Sequence, residues 1–143
     1  MATELANPQT DRDSLIAREG PSGNVFEVTK AVTFEAAHYM PTKPEGHPYA
    51  RMHGHSFRLE VTIAGTVEPG AEWVADFAEL TAALKRVAGE LDHGLLNEVK
   101  GLETPTLERV CVWVAGRLRP DWPGLCAVTL ARPSLDERVT LRL

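Results

Sequence analysis

Three of the chain's five histidines stand where they can converge on one ion. His53 and His55 are two residues apart in a segment whose apolar residues alternate: Phe57, Leu59, Val61 and Ile63 against Gly54, Ser56, Arg58, Glu60, Thr62 and Ala64. Successive side chains of a strand leave by opposite faces, so both imidazoles share the apolar face. His38 ends an earlier alternating run of Phe26, Val28, Val32, Phe34 and Ala36, interrupted by Lys30. If the two runs pair antiparallel across residues 39–52, His38 lies beside His53 and His55 at one end of a sheet. Three neutral imidazoles suit Zn²⁺ and leave a fourth position open, the arrangement of catalytic rather than structural zinc. Gly54 leaves the backbone between two of these ligands unobstructed. The competing reading, separate polar residues at a strand end, suits a lone inward histidine better than three on one face.

Asp92-His93 is a second constellation, placed just past a helix and before Gly94, where a side chain can project into a cleft. A neighbouring carboxylate stabilises an imidazolium and tunes it for proton transfer. An acidic residue at a helix end beside a solvent-facing histidine accounts for the same spacing. Glu108 likewise has a structural explanation, since an acidic residue in a first helical turn complements the helix dipole. His47 falls in a loop with no assigned role.

The elements that must position these groups follow from periodicity. The two alternating runs are strands, separated by a loop containing Pro41, Pro44, Gly46 and Pro48. After the turn at Glu68-Pro69-Gly70, Asp76 opens a helix with Glu79 as an approximate capping box. Phe77, Leu80, Leu84, Val87 and Leu91 form its apolar stripe. Residues Asp92 to Asn97 break it. Thr104-Pro105 starts a second helix, with proline at the first helical position, and Leu107, Val110, Cys111, Val114 and Leu118 as its inner face. Residues 126–131 and 137–143 read as a closing pair of strands around Pro133-Ser134. Strand, strand, helix, helix, strand, strand implies an α+β subunit, an antiparallel four-stranded sheet with both helices on one face. Its exposed edges imply pairing with other copies.

Composition narrows the class. Of 143 residues, 43% are hydrophobic and 24% charged, as in a soluble domain with its own core. The formal charge of -5 speaks against a general nucleic-acid binder. No apolar run approaches the roughly 20 residues that span a bilayer, and Glu4 and Asp11 interrupt the region where a signal peptide would be apolar. Cys111 and Cys126 lie in apolar patterns and read as reduced, buried thiols, so the expected compartment is cytoplasmic. Residues 1–24 read as a mobile arm with one short turn around Ser14 to Arg18, and residues 25–143 as the domain.

These segments together resemble the 6-pyruvoyl-tetrahydropterin synthase and 6-carboxytetrahydropterin synthase family. The matching pieces are Phe34-Glu35-Ala36-Ala37-His38, Pro44-Glu45-Gly46-His47, His53-Gly54-His55, Asp76-Phe77, Leu91-Asp92-His93 with Leu96-Asn97, and Pro105-Thr106 followed by Glu108. They run in family order from about residue 25 to the end. The resemblance implies the tunnelling fold, a ββααββ subunit whose sheets join into a barrel, commonly a hexamer built as a dimer of trimers with active sites at subunit interfaces. It implies zinc on His38, His53 and His55, proton transfer by Asp92 and His93, and substrate contacts from Thr106 and Glu108. The usual family substrate is dihydroneopterin triphosphate.

Two departures from the family pattern bear on the substrate. Where relatives place a catalytic cysteine, four residues before His-Gly-His, this chain has Tyr49, whose unperturbed pKa is near 10 against about 8.5 for a thiol. Where the family carries a glutamate that grips the pterin, the alignment of residues 127–132 gives Ala131. A shift of one residue gives Leu130 or Arg132, neither of which is a carboxylate acceptor, while Asp136 and Glu137 lie beyond a Pro-Ser turn and reach the site only if that hairpin folds back. The expected function is therefore a zinc-dependent lyase or cyclase of this family with an altered substrate, a small polyoxygenated molecule, with Tyr49 as a partner in catalysis. Alternatives are an ordinary 6-carboxytetrahydropterin synthase-type pterin enzyme, a Pictet–Spengler-type condensation of an amine with a sugar-like aldehyde in specialised metabolism, and a non-catalytic metal-binding homologue.

Overall fold

The alternating runs become the two long strands of a sheet, and their pairing fixes the geometry of everything else. A computed structural model describes residues 23–143. The arm expected over residues 1–24, with its turn near Ser14, lies outside the described residues except for its last two positions. Strand β1 (Phe26–His38) pairs antiparallel with β2 (His53–Gly65) along its whole length, in a register that sets Phe34 opposite Phe57 and His38 opposite His53. Strand β4 (Leu125–Arg132) joins the other side of β2, and β5 (Glu137–Arg142) closes the far edge.

The sheet has five strands rather than four. A two-residue strand β3 (Gly94–Leu95) runs parallel to β1 beside Ala36 and Ala37, giving the order β3-β1-β2-β4-β5 and making the sheet mixed. Two residues are too few to show alternation, so this segment reads in the sequence only as a helix break.

Helix α1 (Phe77–Gly89) starts at Asp76, whose carboxylate accepts from the Ala78 amide at 2.6 Å. That bond goes to the second helical position, not to Glu79 as in a full capping box. The buried stripe begins at Leu80 and continues through Leu84 and Val87 to Leu91. Phe77, at the first helical position, lies ahead of it and stays 55% exposed. Helix α2 (Leu107–Leu118) is capped by Thr106, whose hydroxyl accepts from the Arg109 amide. Pro105 therefore stands before the cap and not inside the first turn, which leaves its carbonyl free for a side chain of the sheet.

Leu80 and Leu84 of α1 and Val110 and Val114 of α2 close over Phe34, Phe57, Leu59, Val61, Val128 and Leu130. The opposite face of the sheet is polar, with Thr29 bonded to Thr62, Glu35 to Ser56 and Thr129 to Thr140. Of β1, only Ala36 and Ala37 have a partner on the outer edge among the described residues. Cys111 is buried and Cys126 half-buried, both as free thiols. No helix among the described residues is long and apolar enough to cross a membrane.

Candidate metal centre

The antiparallel register brings the ends of β1 and β2 together, and with them the three histidines. Ring centroids are 4.6 Å apart for His38 and His53, 5.0 Å for His38 and His55, and 4.8 Å for His53 and His55. One nitrogen from each ring lies within 4.8 Å of the others. Phe57, next along the same face, sets its ring edge-on to both His38 and His55.

The tautomers follow from the partners. His38 Nδ1 lies 3.2 Å from the Pro105 carbonyl and His53 Nδ1 lies 2.6 Å from the Arg51 carbonyl. A carbonyl oxygen only accepts, so both Nδ1 atoms carry the proton and both Nε2 atoms keep a lone pair. Arg132 Nη1 stands 3.4 Å from His55 Nε2 and can only donate to it, which assigns His55 the same tautomer. Nε2 is thus the free donor nitrogen on each of the three clustered rings. His38 is 3% exposed and its Nε2 has no partner. A buried polar atom without a partner is costly unless something not yet bound satisfies it. Burial above all lowers the His38 pKa, to about 4, against the raising effect of the Pro105 carbonyl. Burial, then the Arg132 charge, lowers that of His55 as well. Three clustered imidazoles, two of them oriented through Nδ1 by a backbone carbonyl, are the donor set that a divalent transition metal takes.

A cavity of about 380 Å³ opens beside the triad, lined by His38 and His53 together with Tyr49, Thr106, Glu108, Arg132 and Glu137 among others. Tyr49, Thr106 and Glu108 thus line one cavity with two of the histidines, and Thr106 uses its hydroxyl as the helix cap. Tyr49 is 57% exposed, in a short 3-10 turn whose backbone is held by His47: the His47 Nδ1 accepts from the Tyr49 amide at 3.0 Å. That gives His47 a structural role the sequence did not reveal.

Arg132 and Glu137 correct the sequence reading of the third long strand. Ala131 pairs with Arg58 on the polar face of the sheet, away from the triad, and its neighbour Arg132 is the side chain at the metal end. The β4–β5 hairpin is tight, turning at Asp136 with φ 52°, so Glu137 comes back beside Arg132 and accepts from its Nη2 at 2.6 Å. Strand alternation counted from the buried Val128 and Leu130 was the available signal. Asn97 was also missed as a site residue: its amide brackets Tyr39, accepting from the Tyr39 amide and donating to the Tyr39 carbonyl, and so anchors the chain next to His38.

Asp92 and His93 lie elsewhere. His93 adopts φ 56°, an uncommon conformation for a residue with a side chain. It is held by its amide donating to the Glu35 carbonyl while Asp92 accepts from the Glu35 amide. The Asp92 carboxylate accepts from His93 Nδ1 at 2.9 Å, which raises the His93 pKa above its ordinary value. The Glu35 amide, then His93, lowers that of Asp92. His93 lines a second cavity, of about 510 Å³, together with Glu35, Gly54, Ser56 and the triad's own His55. Within one chain the pair does not share the cavity of His38 and His53.

Residues 27–142 match the profile of the family described as 6-pyruvoyl tetrahydropterin synthase. The chain is 36% identical over 105 residues to a dihydroneopterin monophosphate aldolase of Pyrococcus furiosus, covering 73% of this chain and 83% of that protein. It is 40% identical over 107 residues to a 6-carboxy-5,6,7,8-tetrahydropterin synthase of Synechocystis, covering 71% and 81%. Its fold is similar to that of the Caenorhabditis elegans 6-pyruvoyl tetrahydropterin synthase structure, with a TM-score of 0.74 at 21% identity over 84% of this chain and 96% of that one.

Proposed function

Since the chain belongs to the 6-pyruvoyl tetrahydropterin synthase family, we propose that it is a zinc-dependent lyase or cyclase acting on a small polyoxygenated molecule. The observation that carries this reading is the buried, unpartnered Nε2 of His38, in a cluster where one nitrogen from each of three imidazoles lies within 4.8 Å of the others. His38, His53 and His55 would hold the zinc, which would supply Lewis-acid polarisation of a hydroxy-carbonyl unit.

The protein's own groups do the rest. His93 donates through Nδ1 to Asp92, which raises its pKa and leaves its Nε2 to take or return a proton. The side chain is 80% exposed on the polar face of the sheet. Proton transfer at a triad is therefore assigned to the Asp92–His93 pair of a neighbouring copy, in a hexamer built as a dimer of trimers. Tyr49 serves as a hydroxyl donor from the lining of the cavity. Glu108 and Thr106 contact substrate hydroxyls from the start of α2. Free thiols and a soluble fold suit a cytoplasmic enzyme.

A second reading, an enzyme acting on a pterin, is favoured by the names of the two relatives and by the acceptor carboxylates of Glu108 and Glu137 in the cavity. Turnover of dihydroneopterin triphosphate and monophosphate separates the two. Rates of order 1 per second or faster on either compound support the pterin reading. Absence of turnover by zinc-replete protein supports the altered substrate.

A further inference from the structure

We propose that Arg132 selects a substrate carrying a carboxylate beside a hydroxyl or carbonyl oxygen, a 2-hydroxy or 2-oxo acid unit, and holds that carboxylate beside the three-histidine cluster. The inference rests on the metal-site reading above and adds the chemistry of the ligand.

Arg132 ends β4 on the core-facing side, with its side chain only 19% exposed. Its guanidinium has five N–H donors and no acceptor. Nη2 donates to Glu137 at 2.6 Å, Nη1 reaches His55 Nε2 at 3.4 Å, and the buried Nε has no partner. The lone pair on His55 Nε2 is also the one a metal takes. Loading the triad therefore removes the acceptor of Nη1, which joins the buried Nε as an unsatisfied donor of a permanent cation.

Charge points the same way. The other charged groups around this cavity are Lys43, Glu108 and Glu137. Lys43 and Glu108 offset one another, and Glu137 offsets Arg132, so the charge of a divalent metal is left uncompensated. An incoming anion completes both accounts at once. The planar fork of a guanidinium matches a carboxylate with two parallel hydrogen bonds, which a point charge does not. Because Nη1 lies so close to a ligating nitrogen, one small molecule can set its carboxylate on Arg132 and its adjacent oxygen on the metal. Glu137 fixes the guanidinium in place and competes for it, which predicts opposite effects for the two residues.

Protein loaded with Co²⁺ in place of zinc reports ligands at the metal through its visible spectrum. Glycolate should perturb that spectrum with at least tenfold higher affinity than its neutral counterpart glycolamide. Arg132→Gln should abolish the preference with cobalt stoichiometry unchanged, and Arg132→Lys should restore only part of it. Glu137→Gln, which removes the competing carboxylate, should keep the preference and tighten glycolate binding. Equal affinities for glycolate and glycolamide in the unmodified protein overturn the proposal without recourse to any variant. So does glycolate binding by cobalt-replete Arg132→Gln that matches the unmodified protein. Tighter binding of inorganic phosphate than of glycolate overturns the carboxylate class. None of these readouts needs turnover: discrimination without catalysis refutes the lyase reading alone, and catalysis without discrimination refutes this one alone.

Discussion

The two histidine constellations of this chain are prepared in opposite ways. The triad is built inward, with His38 3% exposed and His53 and His55 completing it from the paired strand. Burial keeps His38 neutral, backbone carbonyls of Pro105 and Arg51 fix two tautomers, and Phe57 packs the rings from the core side. The Asp92–His93 pair is built outward, its imidazole 80% exposed and pushed toward the protonated form by the adjacent carboxylate. Here order comes from the backbone of Glu35, which grips both residues, and not from packing. A ligand set must be neutral and fixed, whereas a proton shuttle must be chargeable and accessible. The first can be complete in one chain. The second is left open on a sheet face, where in the proposed assembly a neighbouring copy would close over it.

That contrast can be tested from both sides. His93→Gln should lower turnover by roughly 10²- to 10⁴-fold, the usual range for a lost acid–base group, with metal content unchanged. The same variant should erase from the rate profile an ionisation lying above the ordinary histidine value. Asp92→Asn, which removes the group that raises it, should move that ionisation down toward 6.5. Loss of metal in His93→Gln would merge two constellations that the structure keeps apart.

Phe57→Ala tests the inward side. It is 1% exposed and touches two triad rings, so truncation should destabilise the fold by about 3–5 kcal/mol. Chemical denaturation measures this, and metal affinity should fall with it. A comparable loss of stability from an alanine at the exposed His93 would remove the distinction.

How much of this was legible in the sequence depended on the length of each pattern. Thirteen-residue strands alternate long enough to reveal their inner faces, and the one pairing that brings His38 opposite His53 follows from a single intervening loop. The stripe of α1 was legible from Leu80 onward, but its first turn was not, because Phe77 is as apolar as the buried residues after it. Strand β3 has two residues and no period. The place of Arg132 turned on parity: an alignment one residue off exchanges Ala131 for Arg132 and thereby exchanges the two faces of the sheet. The place of His93 depends on the grip of the Glu35 backbone on Asp92 and His93, a contact distant in sequence that neither spacing nor motif expresses.

Smaller effects sharpen the picture at the cavity rim. Thr106→Ala removes the cap of α2 and should cost about 1 kcal/mol in thermal or chemical unfolding. Because the preceding carbonyl orients His38, a modest fall in metal affinity should accompany it. Tyr49→Phe, at an exposed position, should leave stability within about 0.5 kcal/mol and alter only the rate. A change in metal stoichiometry in that variant would mean that Tyr49 is a ligand and not a donor.

The central claim is that His38, His53 and His55 together hold one functional metal ion. Elemental analysis of purified protein should find about one zinc per subunit, as for a three-histidine site, and His53→Ala should reduce it to near zero while the fold persists by circular dichroism. Near-stoichiometric zinc in folded His53→Ala would place the metal elsewhere and contradict the account.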